Sequence, residues 1–133
     1  MISNAQANKI LDRYFGNISD TVATNLYIGL STTAINADGT GATEPSGGNY
    51  ARVLIANNKV SWGNASNAIL SNLIEVAFPE STTSWGTITH VFLSDSISGQ
   101  PIYFDALATP RQVQSQTTLI FATGTIQIRM TSV

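Results

Sequence analysis

The sequence predicts a mainly β fold: a single-domain antiparallel β-sandwich, jelly-roll-like, with one α-helix at its N-terminus. After residue 24, apolar and polar residues alternate in six or more short runs, and clusters of Gly, Pro and Ser separate these runs. A helical spacing of apolar residues occurs once, at the front of the chain, so parallel strands joined by helices are not expected. The predicted domain covers residues 1–133, with the helix in 1–16 and the strands in 24–130.

The first residues have the pattern of a capped amphipathic helix over about 4–15. Ser3 and Gln6 form a capping box, and apolar residues then recur at positions 7, 10, 11, 14 and 15. Gly16 is expected to end the helix in a left-handed conformation. We expect the apolar face of this helix to dock on its own sheet, with a neighbouring subunit or a larger assembly as the alternative.

The strands follow once the apolar period changes to two. A segment rich in Gly at 33–49 forms the main loop. Gly124 interrupts the last apolar run, where a bulge or a bend is expected instead of a hairpin. The predicted strands are 24–32, 50–57, 72–78, 86–94, 101–107, 117–123 and 125–130, with a further short strand at 59–62.

Composition excludes several functional classes. Charged residues make up 11 % of the chain, where about 25 % is usual, and the net charge is −2. Six dispersed cations form no basic stripe for nucleic acid or for an anionic membrane. The absence of Cys excludes disulfides and thiolate chemistry. The apolar runs are much shorter than the ~20 residues of a membrane span, so we expect synthesis in the cytoplasm without export.

Side chains suited to catalysis or metal binding are sparse. His90 is the sole imidazole, and the pattern predicts a buried or half-buried histidine in register with Ile88 and Phe92. Residues 36–40 offer oxygen ligands but lack the spacing of a calcium loop. No spacing brings two carboxylates together among Glu75, Glu80, Asp95 and Asp105. We therefore expect no catalytic residue, no metal and no cofactor.

The aromatic residues allow two interpretations. One is a platform on which sugars stack, and the other, which we favour, is a seal over the core or over a seam between subunits. The residues concerned are Tyr27, Tyr50, Trp62, Trp85 and Tyr103.

Two motifs carry a resemblance to a known family. They are the block Glu-Pro-Ser-Gly-Gly-Asn-Tyr-Ala-Arg-Val at 44–53 and the block Trp-Gly-Thr-Ile-Thr-His at 85–90, and the similarity extends over about 5–130. The chain resembles small virion proteins of tailed bacteriophages that are commonly labelled tail-fibre proteins. The candidate interface or structural residues within these motifs are Glu44, Pro45, Gly47, Gly48, Tyr50, Arg52, Trp85, Gly86 and His90.

The resemblance implies a non-enzymatic structural protein of the virion, made in the bacterial host, with a role in tail assembly or adhesion. A capsid-decorating or head-fibre position is the alternative, and a module that binds host-surface carbohydrate is another. The expected partners are further copies of the chain and other virion proteins, with a host glycan as an open possibility. Arg52 is expected on the side of its strand opposite Val53 and Ile55, paired with Glu44 or with an acid of a neighbouring subunit, or solvated.

Overall fold

A computed structural model describes residues 1–130; the last three residues of the predicted domain, 131–133, lie outside the described part. The predicted fold class is confirmed, since antiparallel sheets form the body of the protein and a helix precedes them. The helix α1 spans Asn4–Phe15. The strands are β1 Asn25–Ser31, β2 Val53–Ala56, β3 Ile69–Ser71, β4 Val76–Ala77, β5 Gly86–Ser94, β6 Tyr103–Val113, β7 Ile120–Phe121 and β8 Gln127–Arg129.

The helix begins as the sequence predicts and ends differently. The Ser3 side chain accepts a hydrogen bond from the Gln6 backbone N–H at 3.3 Å, which satisfies one of the free donors of the first turn. The prediction of a left-handed Gly16 is wrong, because this residue has φ −118°. Asn17 takes the left-handed conformation instead, with φ 52°. The Asp12 carbonyl then accepts from the N–H groups of Gly16 and Ile18, so the last turn is closed.

Four strands form the larger sheet in the antiparallel order β2-β1-β5-β6. Ile28 on β1 lies opposite Val53 on β2 and Leu93 on β5. The predicted strand 50–57 shortens to β2 because the Tyr50 N–H bonds to the Gly47 carbonyl in a turn. The predicted strand 59–62 is wrong, because the Asn58 side chain accepts from the N–H groups of residues 60 and 61 and holds a turn there.

The pairing of β5 with β6 is irregular at Thr89, where β6 has three more residues than β5, and the side chains of β5 change faces there. Ile88 lies opposite Arg111 and His90 lies opposite Ala106, so Thr89 faces the whole of 107–110 on β6. An insertion of this kind shifts the alternation of side chains between the two faces. The expectation that His90 lies in register with both Ile88 and Phe92 is therefore wrong, since those two residues pack in separate clusters.

The strand β6 is longer than the predicted 101–107. It lies at the edge of the sheet and pairs there only with β5 among the described strands. An edge strand tolerates the missing N–H of Pro110, which explains why the strand continues past this residue to Val113.

The last strands form a second layer of two small sheets. β3 pairs with β8 and β4 pairs with β7, in both cases antiparallel. The strands β7 and β8 do not pair with each other, which agrees with a bend at Gly124, where φ is +82°. They are shorter than the predicted 117–123 and 125–130.

The predicted strand 72–78 is reduced to β4, β3 lies before the predicted range, and Asn72 between the two strands is fully buried. Its side chain donates to the carbonyls of Ile74 at 2.7 Å and Ala122 at 3.2 Å, and accepts from the Ile126 N–H at 2.9 Å. These bonds replace ladder bonds between strands, so β3 ends before Asn72 and β4 begins after it.

Both faces of the larger sheet are covered. The main core lies between this sheet and the second layer, where Ile28, Leu30 and Ile88 are fully buried. The loop after β1 covers part of the opposite face, where Ile35 packs with Phe92 and Phe104.

Candidate functional site: a half-buried ion pair and an exposed helix face

The long loop 33–49 returns to the sheet through an ion pair between Glu44 and Arg52. The Arg52 guanidinium donates from Nε to Oε1 and from Nη2 to Oε2 of the carboxylate, both at 2.9 Å. The Tyr50 hydroxyl donates to the same Oε1 at 2.7 Å. Two-point pairing fixes the position of both side chains. The hypothesised pair of Arg52 and Glu44 therefore forms within one chain.

The Nη1 group of Arg52 connects this pair to the end of β5. It donates to the Ser94 hydroxyl at 2.8 Å and to the carbonyls of Ser96 at 3.1 Å and Gly99 at 2.9 Å. The guanidinium also lies over the Phe92 ring, on the sheet face opposite the main core. Only 9 % of the Arg52 side chain is exposed, so the alternative of a solvated surface arginine is wrong.

Burial and pairing act in opposite directions on the Glu44 carboxyl. Burial alone raises its pKa, but the hydrogen bonds from Arg52 and Tyr50 and the charge of Arg52 outweigh this, and the net pKa lies below the usual 4.5. Burial raises the pKa of the Tyr50 phenol well above 10.0. Tyr50 thus stays protonated at neutral pH, and its hydroxyl accepts from the Leu30 N–H at 3.0 Å while it donates to Glu44.

The end of the same loop contacts Trp85. Pro45 is half-buried, and Gly47 and Gly48 then take the left-handed conformation, with φ of 71° and 59°. The Gly48 carbonyl accepts from the Trp85 indole Nε1 at 2.8 Å. The Tyr50 ring meets the Trp85 ring edge-on, with centres 5.3 Å apart. The two motifs that carry the family resemblance, at 44–53 and 85–90, are therefore in contact in the fold.

The other residues of the second motif have local roles. Gly86 opens β5 with φ +80°, a conformation that favours glycine. His90 is half-buried, and its Nδ1 lies 2.8 Å from the hydroxyl of its neighbour Thr89. This is its only side-chain hydrogen bond to the described residues, so the structure does not place His90 with an acid.

The remaining candidates for chemistry stay apart. Glu75, Glu80, Asp95 and Asp105 are exposed. Asp38 accepts from the N–H and the hydroxyl of Thr40, a local turn that lowers the Asp38 pKa. Within 1–130, no three acidic or histidine side chains converge in a way that suits a metal ion.

The sugar-stacking platform does not form. Trp62, Trp85 and Tyr103 are buried and pack in the main core, which agrees with the favoured interpretation of these rings as a seal. Tyr27 and Tyr50 are half-buried.

The exposed aromatic residues lie on α1, which the sequence analysis placed against the sheet. No residue of this helix is buried. Tyr14 and Phe15 are 80 % and 85 % exposed, and Leu11 is 54 % exposed. The expectation that the apolar face docks on its own sheet is therefore wrong for these residues. The amphipathic pattern identified the face, but no sequence signal distinguishes a face that packs on its own domain from one that points away.

A comparison with protein-family models finds a match over residues 1–129 to the family described as podophage GP4 fiber I protein gp80. The chain belongs to this family. The resemblance to phage fibre-type proteins is thereby confirmed, and a member of this fibre family is a structural component of the phage particle. No curated protein matches the chain.

The match to the fibre family includes both features described above, since the helix and the Glu44–Arg52 pair lie within 1–129. Among the described residues, 1–130, the helix α1 has 12 residues and is not long enough to cross a membrane.

Proposed function

We propose that the chain is a non-enzymatic subunit of a tail-associated phage fibre, and that it acts as an assembly module in several copies. The exposed apolar face of α1 supports this proposal most directly. Two aromatic side chains are exposed to water at the end of an ordered helix, and exposed apolar patches of this kind mark interaction sites. The family description as a fibre protein supports the role in the particle.

The polar cluster supports a structural role instead of a catalytic one. The polar atoms of Glu44, Tyr50 and Arg52 bond to one another and to the backbone, and Arg52 is largely buried. A nucleophile or a general base needs a free group that reaches a substrate. In this cluster the same groups hold a loop on a sheet.

The surface composition suits an assembly of copies. Ser, Thr, Asn and Gly make up 51 of the 133 residues, and the net charge of −2 produces little repulsion between subunits. Low repulsion of this kind favours close approach of identical subunits through uncharged polar contacts.

Gold-labelled antibodies against the protein, applied to intact particles, test the position. We expect label at the tail and none at the head. Label on the head surface contradicts the tail assignment and supports the head-fibre or decoration alternative. If deletion of the gene leaves the protein composition of the purified particles unchanged, the protein is not part of the particle and the structural role itself is contradicted.

A further inference from the structure

The apolar end of α1 is an ordered surface, not a frayed terminus. At the start of the helix, the N–H groups of Ser3 and Asn4 donate to the carbonyls of Ile102 and Ala37, both at 2.9 Å. Ser3 is only 2 % exposed. Because the helix is anchored to the domain here and closed by its last turn at the other end, its exposed side chains have a defined direction.

Three side chains form the exposed face, which we call the helix face: Leu11, Tyr14 and Phe15. Residues at spacings of three and four lie on one side of a helix. Ile18, 59 % exposed, follows in the closing turn, where its N–H bonds to the Asp12 carbonyl. At 100° per residue, Lys9 points away from the helix face, Arg13 lies 100° from Tyr14, and Asp12, three residues before Phe15, lies at the edge of the helix face.

The size of the helix face fits contact with an identical face. With aromatic side chains of 150–250 Å² each, the four exposed residues present on the order of 600 Å² of surface. Two such faces together remove about 1,000 Å² from water when most of this surface is covered, which is the minimum area expected of a specific protein interface. An apolar patch is complementary to itself, and two copies can bury it about a twofold axis.

We propose that the helix face packs against the helix face of a second copy of this chain. The inference rests on the proposed role as an assembly module and names the surface that would join the copies.

The first test is the mass of the full chain in solution, by sedimentation velocity or light scattering over a range of concentrations. We expect a mass of twice the 14.1 kDa of one chain. The double variant Tyr14→Ser/Phe15→Ser should weaken association by at least about tenfold in Kd, since buried aromatic residues dominate such contacts. The control Val60→Ser/Ile97→Ser removes side chains that are 76 % and 68 % exposed elsewhere and should associate like the natural chain.

The second test uses the absence of Cys in the natural sequence. Under mild oxidation, Tyr14→Cys should form a disulfide-linked pair of chains. Ala5→Cys, which lies on the opposite side of the same helix by the 100° rule, should not. Circular dichroism of every variant checks that the fold is kept, which is expected because all substituted side chains are exposed.

Several results overturn the inference. One is a natural chain that stays monomeric at every concentration, and this holds also if the chain binds lipid vesicles instead. Another is an association that Tyr14→Ser/Phe15→Ser leaves unchanged. A third is an equal loss of association in the Val60→Ser/Ile97→Ser control. If the chain stays monomeric in solution but the antibodies label the tail of intact particles, this inference alone is contradicted. A chain that pairs through the helix face but is absent from purified particles contradicts the proposed function alone.

Discussion

The Arg52 guanidinium carbon lies 4.9 Å from the centre of the Phe92 ring, and the ring is completely buried beneath it. The same guanidinium holds Glu44 from the long loop and Ser94 from the end of β5. One cation thus joins two segments, at Glu44 and at Ser94, that are fifty residues apart, on the sheet face opposite the main core.

We expect Arg52→Ala to lower the free energy of unfolding by about 3 kcal/mol, since it leaves a half-buried carboxylate without its partner and removes the bonds of Nη1 to Ser94, Ser96 and Gly99. Arg52→Lys should lose about half as much, because lysine keeps the charge but not the two-point geometry. Urea unfolding at pH 7 measures both. The control Arg111→Ala removes an exposed arginine and should stay within about 0.5 kcal/mol of the natural chain. If the free energy of unfolding of Arg52→Ala equals that of the natural chain, the pair does not stabilise the fold.

The lowered pKa of Glu44 makes the contribution of this carboxyl dependent on pH. A group whose pKa is lower in the folded state stabilises the fold above its unfolded pKa, and this contribution is lost as pH falls through the folded value. We expect Glu44→Gln to be less stable than the natural chain by about 2 kcal/mol at pH 7. The difference should shrink as the pH falls below the usual value of 4.5. Urea unfolding of both proteins at pH 7, 5 and 3 measures it, and a constant difference would contradict the assignment.

Gly29 provides the space that the Phe92 ring occupies. A Cβ at position 29 would lie 2.2 Å from Phe92 Cζ. We expect Gly29→Ala to lower the free energy of unfolding by about 2–3 kcal/mol through overpacking. Gly63→Ala is the control, since its nearest neighbour would be 3.6 Å away. In a double-mutant cycle, Phe92→Leu should remove part of the penalty of Gly29→Ala. Additive effects would mean that the ring does not cause the loss.

The neighbouring Gly47 and Gly48 separate backbone strain from steric contact. Both have positive φ, but a Cβ at position 47 meets nothing within 4 Å, whereas one at position 48 would lie 2.5 Å from the Thr83 hydroxyl oxygen. We expect Gly47→Ala to lose about 1 kcal/mol from strain alone. Gly48→Ala should lose about 2–3 kcal/mol, because it also displaces the bond to the Trp85 indole. Thermal unfolding, followed by tryptophan fluorescence, measures both, and equal losses would contradict the steric account.

Sequence periodicity predicted the elements whose side chains alternate between two environments. The ranges of β1 and β5 agree with the predicted 24–32 and 86–94 within a residue at each end. Periodicity failed where a side chain replaces backbone pairing, as at Asn72, whose partners at Ala122 and Ile126 are fifty or more residues away. Such long-range bonds leave no local pattern.

The candidate site could be predicted in part for the same reason. Glu44 and Arg52 are eight residues apart on either side of a Gly-rich turn, so their pairing follows from the local chain. The contacts of Arg52 with Ser94, Ser96 and Gly99 depend on the pairing of β1 with β5, which the apolar pattern does not specify. The exposure of Tyr14 likewise depends on the direction of α1 relative to the sheet.

Asn72 offers a last test of how the second layer is held together. Its side chain satisfies the Ile126 N–H and the carbonyls of Ile74 and Ala122, and Ile126 is itself buried. We expect Asn72→Ala to lower the free energy of unfolding by about 2–3 kcal/mol, because the buried Ile126 N–H loses its acceptor away from water. Asn64→Ala, at an exposed position, should change it by less than about 0.5 kcal/mol. Hydrogen exchange adds a local readout, since the Ile126 amide should lose protection more than the Ile28 amide at the centre of the larger sheet. Uniform loss at both amides would mean that the second layer unfolds together with the sheet.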